Sequence, residues 1–165
     1  MTYAQIFTSF LIETNNTDQI INDETDGCLE LLTTLMIHNQ LCTLFFKGNE
    51  KSNQFIMTLS LPFHVNIEKF SDACKLFNFI NSRFTFPGRI VVGDDKQICY
   101  EEIIDTENIQ PSIDILNGML NNGTRLIAGF LEEIAAVVLT EKSYELIRHE
   151  YQKRVAKRDA AKNRE

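Results

Sequence analysis

"RIVVGDDKQICYEE" (Arg89–Glu102) is the stretch on which the fold turns. Two apolar runs flank Gly-Asp-Asp-Lys, and that tetrapeptide reads in two ways. Paired aspartates behind a glycine form the metal-binding turn of polymerase palm domains, and they also form the corner of a β-hairpin. A two-metal site needs a further carboxylate on a neighbouring strand. None converges here, because Asp105 falls at the far end of its own strand, and 165 residues are too few for the surrounding scaffold. A tight hairpin wants what is present: glycine for a positive φ, aspartate to hydrogen-bond the local backbone, polar tips in water. The segment is therefore expected to be two antiparallel strands and a turn.

The flanking sequence extends this pattern. In "QFIMTLSLPF" (Gln54–Phe63), Phe55, Met57, Leu59 and Leu61 alternate with Ile56, Thr58 and Ser60, the period of a half-buried strand, closed by Pro62. "CLELLTTLMIHNQLCTLFFKGN" (Cys28–Asn49) fits a helix at Leu32, Leu35 and Met36. Its threonines and paired phenylalanines favour two strands turning near His38–Gln40. Helical spacing governs Tyr3, Ile6, Phe7, Phe10 and Leu11, and again Ile67, Phe70, Ala73, Cys74, Phe77, Ile80 and Phe84, with Asn66 as a candidate cap. "NNTDQIINDETDG" (Asn15–Gly27) reads as a polar connection.

Pro111 marks a helix start, followed by one apolar stripe through Leu116, Met119, Leu120, Ile127, Phe130, Leu131, Ile134 and Val138. Gly118, Gly123 and Gly129 each weaken that helix by up to about 1 kcal/mol relative to alanine, and "NNGT" is a candidate break. The expected order is α-β-β-β-α-β-β-α. Strands gathered in hairpins imply an α+β fold, with an antiparallel sheet of about five strands flanked by helices. A single domain is expected over residues 1–140, with a basic helical extension over 141–165.

Charge divides along the same boundary. Residues 1–140 hold 8 Lys and Arg against 18 Asp and Glu, whereas residues 141–165 hold 8 against 5, in a chain of net charge −7. An acidic body disfavours a phosphate backbone as the main partner. No apolar run is long enough to span a membrane, and "IFTSFLI" (Ile6–Ile12) lacks the basic lead and cleavage site of a signal peptide, so the expected location is cytoplasmic. Cys28, Cys42, Cys74 and Cys99 form no C-x-x-C or Cys/His cluster and read as buried thiols.

Chemistry-bearing motifs are absent. His38, His64 and His149 stand apart from one another and from the cysteines. Glu101–Glu102 and Glu132–Glu133 are adjacent pairs whose members point in different directions, one of each toward solvent. There is no nucleophile elbow, P-loop or dinucleotide fingerprint. The expectation is a non-enzymatic protein with no metal and no cofactor; a hydrolase or transferase would need a site assembled only in three dimensions.

Two features point to association. If Phe55, Met57, Leu59, Leu61, Ile90, Val92, Ile98, Tyr100 and Ile104 share one sheet face, the other still carries Phe45 or Phe46, Ile56, Val91 and Ile103. Several apolar residues on a second face call for a cover: a helix, a second subunit or a client. The other feature is the tail, where Tyr144, Ile147, Tyr151 and Val155 keep helical spacing beside Lys153, Arg154, Lys157, Arg158, Lys162 and Arg164. Lys153, Arg154, Lys157 and Arg158 are the candidate anion or nucleic-acid contacts, although no aromatic stacking platform accompanies them.

From "LSLPFHVNIEKFSDACKLFNFINSRFTFPGRIVVGDDKQICYEEIID" (Leu59–Asp105) the chain resembles the bacterial YbjN family, described as sensory transduction regulators. The resemblance lies in the Leu61–Pro62–Phe63 strand end, the "FNFIN" run of the following helix (Phe77–Asn81) and the strand–acidic turn–strand with aromatic Tyr100. It extends over roughly residues 29–140; the long basic tail departs from it. It implies a type III secretion chaperone-like fold, often dimeric, without a known cofactor or settled activity. The combined expectation is a protein-binding module with a regulatory or chaperone-like role, its partner another protein or a second copy. A dedicated secretion chaperone and a nucleic-acid-associated regulator using the tail are the alternatives.

Overall fold

The computed structural model describes residues 2–15, 20–23 and 27–162. The chain runs α1 (Tyr3–Glu13), β1 (Ile20–Asp23), β2 (Cys28–Ile37), β3 (Gln40–Asn49), β4 (Gln54–His64), a 3₁₀ turn at Ile67–Lys69, α2 (Phe70–Arg83), β5 (Arg89–Val92), β6 (Gln97–Asp105), α3 (Ile113–Leu139) and α4 (Tyr144–Lys162). All strand pairs are antiparallel, in the sheet order β1-β2-β3-β4-β6-β5. The five expected strands are β2 to β6, and the α+β class and element order stand.

β1 is the addition. Part of the stretch expected to be a connection pairs Ile20–Asp23 with Cys28–Leu31 along the free edge of β2. Four residues with no alternating pattern carry no strand signal of their own, so the neighbouring edge supplies the order. The rest of that stretch, at 16–19 and 24–26, lies outside the described residues.

Turn chemistry sets the registers. His38 and Asn39, at φ 46° and 64°, form the two-residue turn between β2 and β3, the left-handed pair whose twist matches a hairpin. The Gly93–Lys96 turn is a hairpin corner as expected, but the positive φ falls on Lys96 (68°), not on Gly93. The Gly93 amide donates to the Gln97 carbonyl at 2.9 Å and the Lys96 amide to the Gly93 carbonyl at 2.9 Å. The Asp95 carboxylate accepts from the Gln97 amide at 2.9 Å. Gly93 answers a close approach instead: a Cβ there would stand 2.9 Å from Asp95 Oδ1.

Pro62 does not end β4. The strand continues to His64 across a register irregularity between Ser60 and His64, and a bulge is where a strand tolerates the missing amide donor. Asn66 is extended and precedes the 3₁₀ turn, but its side chain makes no capping bond. Pro111 lies two residues before the first residue of α3, with Ser112 as the cap. α3 runs unbroken through "NNGT". Gly123 explains why: it faces the sheet so closely that a Cβ would meet Met57 Cε and Tyr100 Cδ1 at 2.9 Å each. The glycine serves contact, not a bend.

The core lies on one side of the sheet. Phe55, Met57, Leu59, Leu61, Ile90, Ile98 and Tyr100 are buried there, and Val92 and Ile104 are half-buried against them. α1 brings Tyr3, Ile6, Phe7 and Phe10 onto this face. The Tyr3 and Phe55 rings stack at 4.3 Å, and Phe10 meets Phe46 edge-on at 5.2 Å. α2 is tied to β5 by Asn81, whose amide donates to the Ile90 carbonyl and whose carbonyl accepts from the Ile90 amide. α4 packs on α2 and α3 from outside, through Ile147 and Tyr151. No described helix is long and apolar enough to cross a membrane.

Candidate functional site

Strand alternation decides which residues the sheet turns away from its helices. Phe46 points into the core and is fully buried, so Phe45 is the outward residue of that pair. The register places Leu32, Phe45, Thr58, Glu101 and Arg89 in one outward row, and Glu30, Lys47, Ile56 and Ile103 in the next. Ile56 and Ile103 are direct partners. Phe45 lies diagonal to Ile56, within reach of long side chains on a pleated face. Leu32, Phe45, Ile56 and Ile103 thus form an apolar stripe across four strands.

Leu32 and Ile103 at its ends are 55% and 61% exposed. Among the described residues no helix lies over them. Beside the stripe Lys47 Nζ is 3.2 Å from Glu30 Oε1, and Arg89 is the register partner of Glu101. Val91 faces the same side but lies in a further row with Ser60 and Cys99. Relative to Ile103 that is two rows, about 13 Å along the strands. The structure therefore brings together Phe45, Ile56 and Ile103, and leaves Val91 apart.

Sequence reasoning missed Leu32 on the stripe. It also missed Met36 and Leu41, cross-strand partners beside the β2–β3 turn that are likewise exposed. The signal was available: once β2 and β3 are strands, Glu30, Leu32, Thr34 and Met36 fall on one face, and Leu41, Thr43 and Phe45 on its continuation.

The basic tail is largely on the surface of its own body. Arg154 forms ion pairs with Glu132 and Glu133 of α3, and its guanidinium sits 5.7 Å from the Tyr151 ring centre. Lys153, Lys157 and Arg158 are exposed. Arg164 lies outside the described residues. The structure thus separates Arg154, held in the fold, from the other three.

The glutamate pairs split as expected. Glu101 and Glu132 are exposed, Glu102 and Glu133 buried. Glu133 has one oxygen on Arg154, while its Oε2 has no partner among the described residues. Burial pushes this carboxyl above the usual range, and Arg154 partly opposes the shift. Burial likewise raises the Cys42 and Cys99 thiols, which therefore resist forming the reactive thiolate. Among the described residues no His, Cys, Asp and Glu group is arranged to hold a metal.

No family model and no curated protein matches the chain, so the YbjN resemblance gains no support from either. Its fold does match a solved one. It is similar to a chain in the crystal structure of the ExsC–ExsE complex, at 11% identity and a TM-score of 0.52, over 77% of this chain and 91% of that one. The likeness is one of fold: an antiparallel sheet flanked by helices, as the sequence leads one to expect.

Proposed function

We propose that this chain is a non-enzymatic protein-binding module with a regulatory or chaperone-like role, and that the outward sheet stripe is its binding surface. The observation that carries the reading is the stripe Leu32–Phe45–Ile56–Ile103. It is continuous, apolar and, among the described residues, uncovered, since the four helices these residues form pack on the other side or on one another. Scattered apolar residues are ordinary on a protein surface; a stripe crossing four strands calls for a cover. The occupant is a segment of another polypeptide, held mainly by apolar contact, because Glu30 and Lys47 already neutralise each other beside the stripe. The fold likeness to a chain solved in complex with a second protein supports the same reading. A YbjN-like, cytoplasmic protein and a dedicated secretion chaperone are finer versions of it. Nucleic-acid binding through α4 is disfavoured, because Arg154 is engaged by two carboxylates.

Affinity capture with the native chain and with an Ile56→Asp/Ile103→Asp variant tests the proposal. Each recovered protein is then purified and titrated against both. A partner that binds the native chain and not the variant is expected. Equal binding by both, with the variant folded, rules out the stripe.

A further inference from the structure

A groove of about 430 Å³ lies between α3 and α4, on the helical side of the molecule and away from the sheet stripe. Phe84 and Phe86, from the α2–β5 connection, close it together with Phe130, Tyr151 and Val155, and the His38 turn stands at its edge. Three arginines enter from the two helices, Arg125 from α3 and Arg154 and Arg158 from α4. Among the described residues the one carboxylate in the lining is Glu132, and Arg154 holds it. Arg125 and Arg158 have no ion pair or hydrogen bond among the described residues. In a chain of net charge −7 the groove is a local cationic site over an apolar floor.

Gly129 supplies a second, independent observation. It lies in the interior of α3, where glycine weakens a helix by about 1 kcal/mol relative to alanine. Packing does not demand it, since a Cβ there would meet nothing within 4 Å. This contrasts with Gly123, six residues earlier on the same helix, which faces the sheet. At Gly129 the missing side chain leaves the groove open.

We propose that this groove is a binding site for an acidic, amphipathic segment of a partner polypeptide. Carboxylates of the segment pair with Arg125 and Arg158, whose planar forks suit bidentate contact, while an apolar side chain enters over the half-buried Phe86 and Val155. From Arg125 to Glu132, and from Tyr151 to Arg158, each helix contributes about 10 Å of wall. That length holds about two turns of a helical segment. A nucleic acid fits less well: Phe130 is 5% exposed, with Phe84 packed edge-on at 4.9 Å and Tyr151 at 5.5 Å, so its ring is not offered as a stacking platform. The acidic body also repels an extended phosphate backbone. This site does not rest on the sheet stripe, and either stands if the other falls.

The test is fluorescence anisotropy of the full chain with a short labelled peptide of Glu, Asp, Leu and Phe. A lysine-for-acid version, an oligothymidylate and decanoate serve as comparison ligands. Gly129→Leu fills the groove from a position with free space, and Arg125→Glu/Arg158→Glu reverses exposed charges, so the second variant decides if the first melts early. Saturable binding of the acidic peptide is expected. It should weaken by at least about tenfold in the groove variants, weaken as salt is raised, and persist in Ile56→Asp/Ile103→Asp. Absence of binding, equal binding by a folded groove variant, or tighter binding of oligothymidylate or decanoate would overturn the proposal.

Discussion

The Tyr100 hydroxyl donates a 2.5 Å hydrogen bond to Glu102, two residues further along the same strand and on the same buried face. The same hydroxyl accepts from the Gly88 amide at 3.1 Å, and Asn122 Nδ2 reaches Glu102 Oε1 at 3.3 Å from α3. Burial, and then the bond to Glu102, push the phenol well above its ordinary value, so it stays a donor. The network joins β6, α3 and the β5 approach. Gly88 permits the contact: a Cβ there would fall 2.4 Å from both the Glu101 carbonyl oxygen and Tyr100 Cζ.

Removing that one oxygen strands two groups. Tyr100→Phe leaves the Gly88 amide without its acceptor and Glu102 with Asn122 alone. Unpaired buried polar groups cost about 1–3 kcal/mol. Urea denaturation should show a loss of that order with an unchanged slope; an unmoved midpoint would mean the network contributes nothing to stability.

Gly118 and Gly123 of α3 should respond to alanine with opposite signs. At Gly118 a Cβ has nothing within 4 Å, so helix propensity decides, and Gly118→Ala should stabilise by up to about 1 kcal/mol. At Gly123 the Cβ would press on Met57 and the Tyr100 ring, and overpacking of about 1–3 kcal/mol outweighs the propensity gain. Thermal melts of the two variants read the contrast directly; a stabilised Gly123→Ala would refute the close approach of α3 to β4 and β6.

A similar argument applies to Lys96, a side chain held at φ 68° in the β5–β6 turn. Left-handed backbone costs an ordinary L-residue roughly 1–2 kcal/mol, and glycine removes most of it. Lys96→Gly should raise the urea midpoint and Lys96→Val lower it. The reverse order would show that the turn adopts another conformation.

How far the sequence discloses this fold depends on how much each element decides for itself. β4 was legible because Phe55, Met57, Leu59 and Leu61 alternate over a length that only a strand explains. The buried face and the split of Glu101 from Glu102 follow from the same period. β1 was not legible, because its order comes from β2 across the sheet. The role of Gly93 is hidden in the sequence because several residues of a turn can carry the positive φ, and the register decides which one does. On the stripe, Ile56 and Ile103 were legible as outward residues, but their direct pairing depends on the β4–β6 register, which no local pattern encodes. The α3–α4 groove was out of reach for the same reason: Arg125 and Arg158 are 33 positions apart in the sequence.

Glu133 makes stability depend on pH. Its carboxyl is raised in the folded chain by burial, with Arg154 opposing and one oxygen unpartnered among the described residues. Between the ordinary value of 4.5 and the raised folded one, the folded state binds more protons than the unfolded state. Stability from this group is therefore present at the acid end and is lost as pH rises through that window. Glu133→Gln removes the titration while keeping an acceptor for Arg154. Urea midpoints of the native chain and the variant, measured from pH 4.5 to 7.5, should diverge in a defined sense: native minus variant is most favourable at the acid end and declines toward neutrality. A flat difference would mean that Arg154 fully compensates the buried charge. A rise with pH would mean that the ion pair dominates and the carboxyl is lowered instead.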